Sequence, residues 1–466
     1  MSETTTDYDF AVIGGGSAGY AAARTAVAEG LKTVVIDGAE TLGGLCILRG
    51  CMPSKALIES ANRNLVLRRA GEFGLKAEVG APDVKAIRDR KRVLIDDFAG
   101  YRQGQLQDGR FALVRGRAVF EDAHHLKVGD LRISFKAACI ATGSKVTELP
   151  VPGLKDTGFW TSDDVLDAES LPASFIVLGG GAIALEMTHY LEALGRKVTL
   201  IQRSSRLLSF MDAECGETVE KAYQDRGIAV HCGTKLLRVE KTPSGKQVTF
   251  LQDGEEHQVS ADEILLATGR SAALDGLGLD AVGVDLKDGK IKTFTTMQTT
   301  CPNVFAAGDV VDSLDVVHIA IQEGEVAAKN AAALLAGKSL PSRIDYRLTL
   351  FGVFSDPQVA AVGRNEAELN EAEVPFLTAS YPFNDHGKSM IMGVKEGFVK
   401  MIAHQDAGEI LGASVVGPEA TELIHEVVIA MHYRSTVKDF MRIPHYHPTL
   451  SEIWTYPAEE LAEQVG

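Results

Sequence analysis

The sequence predicts an α/β protein in which two Rossmann-like dinucleotide-binding domains precede a C-terminal α+β domain. Three observations predict it. A strand–turn–helix–strand unit occurs twice, as DFAVIGGGSAGYAAARTAVAEGLKTVVID from Asp9 and as SFIVLGGGAIALEMTHYLEALGRKVTLIQ from Ser174. Each unit is followed by an apolar strand closing on a small turn, CIATGS (Cys139 to Ser144) and LLATGR (Leu265 to Arg270), and a third such strand, VFAAGDV, spans Val304 to Val310. After LLAGKSLPS the pattern changes, and RIDYRLTLFGVFSDPQVAAVG opens a β-rich stretch. These features divide the chain into a first dinucleotide domain with a cysteine pair (1–150), a second (151–275), a central segment completing the first site (276–341) and a C-terminal domain (342–466).

The glycine turns carry the first chemistry. Gly14, Gly16 and Gly19 form G-x-G-x-x-G, and Gly179, Gly181 and Ala184 form G-x-G-x-x-A. The first glycine permits the tight turn, the second lets the backbone approach a pyrophosphate, and the third position must be small for helix and strand to pack. The phosphate then lies at a helix N-terminus, where unpaired N–H groups and the dipole favour an anion. One such motif is weak evidence; two, each in its strand–turn–helix context, are strong. Two dinucleotides in one chain imply that hydride passes between a nicotinamide and a flavin.

The residue that ends the second strand distinguishes the sites. In the first unit it is Asp37, whose carboxylate can accept hydrogen bonds from a ribose diol. In the second it is Gln202, with Arg203 and Arg206 close behind in LIQRSSRLL. The acid that would repel a 2′-phosphate is missing and two cations that would bind one are present, so NAD or NADP is expected there, with the arginines favouring NADP.

Composition excludes several classes. The 47 basic and 63 acidic side chains leave a formal charge of −16, which argues against nucleic-acid or anionic-membrane partners. No stretch approaches the ~20 apolar residues of a membrane span, and MSETTTDYDFAVIGGG has neither basic region nor apolar signal core, so a cytoplasmic location is expected. Six cysteines are too few for a secreted disulfide framework. Cys139, Cys215, Cys232 and Cys301 stand singly and read as small buried side chains.

Cys46 and Cys51, in GGLCILRGCMPSKAL, are the one close pair. A zinc site would need further ligands nearby, and none follows within the next seventy residues, so no metal is expected. Pro53 suits the first turn of a helix, which puts Cys51 at or just before its N-terminus, where the dipole stabilises a thiolate. Gly43, Gly44 and Gly50 let the backbone approach something flat. The pair therefore reads as a redox-active disulfide. Lys55 lies one turn beyond Cys51, and Glu186 lies in the helix after the second glycine turn; spacing alone reads them as unrelated charges. In IPHYHPTLSEIW, Glu452 follows His447 by five residues, and a carboxylate that orients an imidazole is a common acid/base device. On residues alone, a packed histidine or a metal site shared with His445 stays open.

The order G-x-G-x-x-G, C-x4-C-x2-S-K, ATG, G-x-G-x-x-A, ATGR, AAGD and HPTxSE resembles the class I pyridine nucleotide–disulfide oxidoreductases over nearly the whole chain. GCMPSK, AIQEG after His318 and TELIHE resemble dihydrolipoyl dehydrogenase most, with mercuric reductase next. The resemblance implies FAD at the first site and a dimerisation role for the C-terminal domain. It implies that Cys51 faces the flavin as the charge-transfer thiolate and Cys46 exchanges with the substrate disulfide. Lys55 and Glu186 would pair near flavin and nicotinamide, and Asp309 would hold the ribityl chain. Gly44, Ala118, Gly143, Gly269, Val317 and His318 would join the cofactor contacts. His447, oriented by Glu452, would be the acid/base for the dithiol and would enter the site from the partner of a homodimer.

The chain departs from that pattern at Leu45, where the family has Thr, and at Leu48 and Arg49, where it has Asn-Val. Gln202 replaces the glutamate of NAD-specific dihydrolipoyl dehydrogenases, and GRSAALDGLG lacks the usual asparagine. No cysteine follows Cys301, unlike mercuric and large thioredoxin reductases. The expected activity is electron transfer between a dithiol, dihydrolipoyl above all, and NAD(P). The alternatives are NADPH-dependent reduction of another disulfide or a metal ion, and a docking subunit for a lipoylated carrier protein.

Overall fold

A computed structural model describes residues 5–465. The chain forms two compact units, each drawn from several stretches: 1–54, 89–147 and 270–345 in the first, and 55–88, 148–269 and 346–466 in the second. Each of the two units contains one dinucleotide motif, and the α+β C-terminal stretch belongs to the second.

The first unit is built on a mixed sheet. The strands Ala112–Arg115, Thr33–Asp37, Thr5–Ile13 and Leu131–Ile140 run parallel in that order, and Val304–Ala306 adds to Leu131–Ile140. An antiparallel edge, His125–Val128 then Ala118–Asp122, extends the other side. The parallel strands are apolar on both faces, as a sheet covered by helices requires: Phe10 to Ile13 and Val34 to Ile36 are all buried. The helices Ser17–Ala28 and Val317–Leu335 pack closely because small residues line the contact. A Cβ on Gly324 would lie 2.3 Å from the Ala18 carbonyl oxygen.

In the second unit, Ala229–His231, Lys197–Ile201, Ser174–Leu178 and Glu263–Leu266 form a four-stranded parallel sheet. A three-stranded antiparallel sheet spans Lys235 to Ala261. The C-terminal part is a five-stranded antiparallel sheet, ordered Leu350–Val353, Gln358–Gly363, Ile410–Gly417, Phe398–His404 and Phe376–Pro382. The helices Ala420–His432 and Thr455–Gln464 cover it through Leu423, Val427, Ala458 and Leu461. Among the described residues, no helix is long and apolar enough to cross a membrane.

Candidate active site

The cysteine pair sits where two glycine loops meet. Cys46 lies in the short helix Leu45–Leu48, and Cys51 is the first residue of the helix Cys51–Arg68. Gly50 packs closely between them: a Cβ there would lie 3.1 Å from the Cys46 Cα. Ser54 closes the first turn by donating its hydroxyl to the Gly50 carbonyl (2.8 Å). No acidic residue stands in that turn, and a helix N-terminus favours a thiolate. Cys51 is exposed and Cys46 partly buried. The other cysteines differ. Cys139, Cys215 and Cys301 are buried, and burial pushes the Cys139 and Cys215 thiols up to about 12, keeping them protonated and inert.

Gly44 holds a positive φ (78°), and a Cβ on it would lie 2.6 Å from the Gly16 Cα. The cysteine loop therefore lies directly on the first dinucleotide turn. Gly14, at φ 106°, is pressed against the strand end it follows: a Cβ would lie 2.3 Å from the Ala141 oxygen of the ATG segment. At the end of the second strand, Asp37 Oδ2 accepts the Gly15 N–H and Oδ1 the Ala39 N–H, each at 2.8 Å. These bonds fix the carboxylate beside the turn, where a ribose diol would be read. Asp309 follows the strand Val304–Ala306. Its Oδ2 accepts the Ser144 hydroxyl (2.6 Å), and Arg270 donates to the same hydroxyl oxygen (2.8 Å) and to the Ser144 carbonyl (2.9 Å). The Gly308 N–H donates to the buried Glu323 (2.7 Å), which steadies the turn carrying Asp309. Ala118 begins the edge strand Ala118–Asp122 and is buried; Val317 and His318 open the helix Val317–Leu335; Gly143 lies in the ATG turn at φ 73°. Two cradles free of side chains, an anchored acid at the strand end and a held aspartate fit a flavin dinucleotide.

In the second unit, Gly179 (φ 128°) is pressed against Ala267 as Gly14 is against Ala141, with a hypothetical Cβ 2.2 Å from the Ala267 oxygen. Open space surrounds Gly181, as a pyrophosphate would need, and Gly269 has φ 118° with open space also. Gln202 folds over Gly180, and its Oε1 accepts the Arg203 N–H (3.1 Å). Arg203 is exposed. Arg206 is partly buried and donates Nη2 to the carbonyls of Ser209 (3.2 Å) and Met211 (3.0 Å). These residues fit a pyridine dinucleotide, with Arg203 as the cation left to meet an added phosphate.

Lys55 and Glu186, 131 residues apart, form a pair: Lys55 Nζ lies 2.8 Å from both carboxylate oxygens. The Phe354 N–H donates to the same carboxylate (3.1 Å), and Lys55 Nζ stands 4.7 Å from the centroid of the Phe354 ring. The Glu186 side chain is only 5% exposed, so the lysine compensates a carboxylate that would otherwise be stranded. Near the C-terminus, His447 Nδ1 lies 3.0 and 2.9 Å from the two oxygens of Glu452. Glu452 is buried in the turn Ser451–Trp454, which Trp454 anchors by donating Nε1 to the Leu423 carbonyl (3.1 Å). The His447 ring is 79% exposed. The carboxylate thus holds a proton on Nδ1 and leaves Nε2 as the working edge. His445 pairs instead with Glu426, whose carboxyl burial holds above the usual range, opposed by that histidine. No cluster of three or more His, Cys, Asp or Glu arranged to hold a metal occurs among the described residues.

Sequence reasoning missed four participants. Ser144 and Arg270 hold Asp309, Phe354 covers Lys55, and a second histidine, His386, reaches Glu452 (3.2 Å). Ser144 and Arg270 do close the two ATG motifs, a signal that was available; His386 and Phe354 carried none.

The family model for pyridine nucleotide-disulphide oxidoreductases matches residues 8–324, and the model for their dimerisation domain matches residues 351–458. A dihydrolipoyl dehydrogenase of Bacillus subtilis (strain 168) is 33% identical over 466 residues, covering 97% of this chain and 96% of the relative. One from Thermus scotoductus is 35% identical over 467 residues, covering 98% of each. Among solved structures, LpdA from Mycobacterium tuberculosis is similar with a TM-score of 0.85 at 27% identity, covering 97% of this chain and 99% of that one. The flavoprotein disulfide reductase RclA from Escherichia coli shares the fold, with a TM-score of 0.82 at 24% identity over 98% of this chain and 99% of that one.

Proposed function

We propose that this chain, which belongs to the pyridine nucleotide-disulphide oxidoreductase family, passes electrons between a dihydrolipoyl dithiol and NAD(P) by way of FAD and the Cys46–Cys51 pair. It is an oxidoreductase acting on a sulfur group; the dihydrolipoyl substrate is the finer reading, supported by dihydrolipoyl dehydrogenases 33–35% identical over nearly the whole chain. The observation that carries it is Cys51 at a helix N-terminus, five residues from Cys46, on a loop laid against the first dinucleotide turn.

The reaction divides among named residues. His447, with Nδ1 committed to Glu452, takes the proton of a substrate thiol at Nε2. The thiolate attacks the Cys46 sulfur of the oxidised pair, a mixed disulfide forms, and Cys51 leaves as a thiolate stabilised by its helix N-terminus. The second substrate thiol attacks the mixed disulfide at the substrate sulfur, closing the product disulfide, and Cys46 is released as a thiol that takes up the proton this substrate thiol gives up. One substrate disulfide thus forms as one protein disulfide is reduced. FAD held by the residues of the first site would supply a two-electron carrier between the reduced cysteines and the pyridine nucleotide. Lys55 and Glu186 hold fixed opposite charges for the cofactors. The residues around the second turn, Gly179, Gly181, Gln202, Arg203, Arg206 and Gly269, bind the pyridine nucleotide, and the lack of an acid at Gln202 favours NADP(H). The segment 342–466 supports a homodimer in the cytoplasm in which His447 serves the partner's cysteines; a lipoylated carrier protein would present the dithiol.

The test is anaerobic: FAD-loaded protein is mixed with dihydrolipoamide, its visible spectrum followed, and NAD⁺ or NADP⁺ added separately. Reduction by the dithiol, reversed by one nucleotide, is expected, and Cys46→Ser abolishes it. Full dithiol turnover in Cys46→Ser would refute the mechanism. Ready reduction by NADPH with none by dihydrolipoamide would support the second reading, a reductase of another disulfide or metal ion. That reading draws on Arg49, exposed beside the pair where its cation can attract an anionic oxidant.

A further inference from the structure

Glu452 is gripped from two sides. His447 reaches it from the exposed side, and His386, 66 residues earlier, reaches it from the interior, with Nε2 3.2 Å from Oε1. His386 is completely buried, and its Nδ1 lies 2.7 Å from the hydroxyl of Ser389, also completely buried, in the short helix Gly387–Ile391. Around His386 stand the Tyr456 ring, edge-on at 6.1 Å, and Tyr381, which stacks on Tyr456 and donates its hydroxyl to Asp385 (3.0 Å).

Donor and acceptor counting places a proton on Nε2 of His386. An ionised carboxylate only accepts, so both imidazoles must donate to Glu452. His386 thus gives Nε2–H to Glu452, and its Nδ1 shares a hydrogen bond with the Ser389 hydroxyl. The chain Ser389 to His386 to Glu452 leaves none of these polar groups unmatched. The two grips also differ in kind. An exposed imidazole gains its orientation from the carboxylate and cannot supply it. A buried imidazole locked by its own partner can, because its rotamer freedom is already lost to packing.

We propose that His386 is a positioning residue for the dithiol acid/base: by holding one oxygen of Glu452 it fixes the carboxylate that orients His447. This rests on the reading of His447 as acid/base. The conservative pair His386→Gln and His386→Met isolates the effect, because the two side chains have similar reach and only glutamine offers an N–H where Nε2 stands.

The variants are compared as full-length, FAD-loaded protein oxidising dihydrolipoamide with the preferred pyridine nucleotide. His386→Met is expected to lower kcat about tenfold with the pyridine-nucleotide KM unchanged, and His386→Gln to restore most of the loss. In a Glu452→Gln background, His386→Met is expected to cost nothing further, because its effect passes through that carboxylate. Electron transfer from reduced pyridine nucleotide to ferricyanide, which bypasses the thiol step, stays unchanged; a merely structural lesion would lower it too. Equal losses in the Gln and Met variants, a His386→Met at full activity, or a full additional loss on Glu452→Gln would each overturn the proposal. If His386→Met does not fold, Ser389→Ala takes its place, with a loss of about threefold expected in dithiol turnover alone; an unchanged rate overturns the proposal. His447→Gln separates the two layers. If it keeps dithiol turnover, the acid/base reading itself falls; if it loses turnover while His386→Met does not, only the positioning role falls.

Discussion

The two dinucleotide units superimpose in logic, and they differ where a ligand would be told apart. In both, the first glycine is pressed onto the oxygen of an alanine in an ATG segment, Ala141 in one and Ala267 in the other. In both, that alanine N–H donates at 2.8 Å to the strand beside it, to Ile13 and to Leu178. Asp37, at the end of the first unit's second strand, and Gln202, just beyond that of the second unit, each fold over the middle of the turn. There the likeness stops. Asp37 is tied by two backbone N–H groups, and Gln202 by one, on its own neighbour. The shared parts have the shape of a phosphate cradle; in the proposed function, the unshared residue chooses the nucleotide. Spacing that recurs reports the fold, and chemistry that varies at a fixed place reports the function.

The largest expected effect is at the third motif position. A Cβ on Gly19 would lie 1.8 Å from the Gly14 oxygen, a backbone atom that cannot swing aside. The equivalent residue of the second unit is Ala184, completely buried without such a conflict. Gly19→Ala should therefore cost about 3 kcal/mol or more and weaken flavin retention. Ala184→Gly should cost about 1 kcal/mol, the helix-propensity difference. Urea midpoints of the two variants test this; equal costs would mean that the helices approach their turns alike.

Acid should separate the units next. His189, in the second nucleotide helix, is buried with its Nε2 2.7 Å from Asn62 Oδ1 and its Nδ1 3.2 Å from Arg226 Nη1. The guanidinium can only donate, so Nδ1 must accept and the ring must be neutral. Burial, helped by Arg226, brings its pKa down to about 3. A folded-state value below the unfolded one means that the unfolded chain takes up the proton first. The stability is fully present above pH ~6.5 and is lost as pH falls towards 3, by roughly 3 kcal/mol at pH 4. The corresponding residue in the first helix is Arg24, exposed and paired with Glu325, so the first unit has no buried imidazole at this place. Stability measured between pH 7.5 and 4.5 should show this slope, and His189→Gln should flatten it.

What was legible in the sequence follows from distance along the chain. The glycine turns, Asp37, the Cys46–Cys51 turn and His447–Glu452 are made by residues within a few turns of each other or at the ends of one strand–helix unit. Lys55–Glu186, Ser144–Asp309 and His386–Glu452 join residues 131, 165 and 66 positions apart. Only tertiary packing brings such partners together, so residue type and spacing could not pair them. The family resemblance supplied the first of these pairs and left His386 unseen, because the carboxylate it reaches lies 66 residues away and its near neighbour Ser389 in NDHGKS carries no such signal.

At the strand end the comparison can be reversed. Gln202→Glu supplies the second unit with the acid that the first one has. If the arginines receive a 2′-phosphate, the variant should lose about tenfold in kcat/KM with NADP(H) and keep or gain activity with NAD(H). Losses that fall equally on both nucleotides would show that Gln202 reads the ribose and not the phosphate.

The smallest effect separates the two arginines. Arg206 already gives Nη2 to the carbonyls of Ser209 and Met211, and it braces the loop that follows the strand. Arg206→Ala should lower stability by about 1 kcal/mol, with both nucleotides affected alike. Arg203 is exposed, so Arg203→Ala should leave the urea midpoint in place and shift the NADP/NAD ratio of kcat/KM by a few-fold. The two variants thus exchange their signatures, one in stability and the other in selectivity. A selectivity change from Arg206→Ala with none from Arg203→Ala would move the phosphate contact to the braced side chain. The difference between the two units would then lie in the shape of the loop and not in its exposed charge.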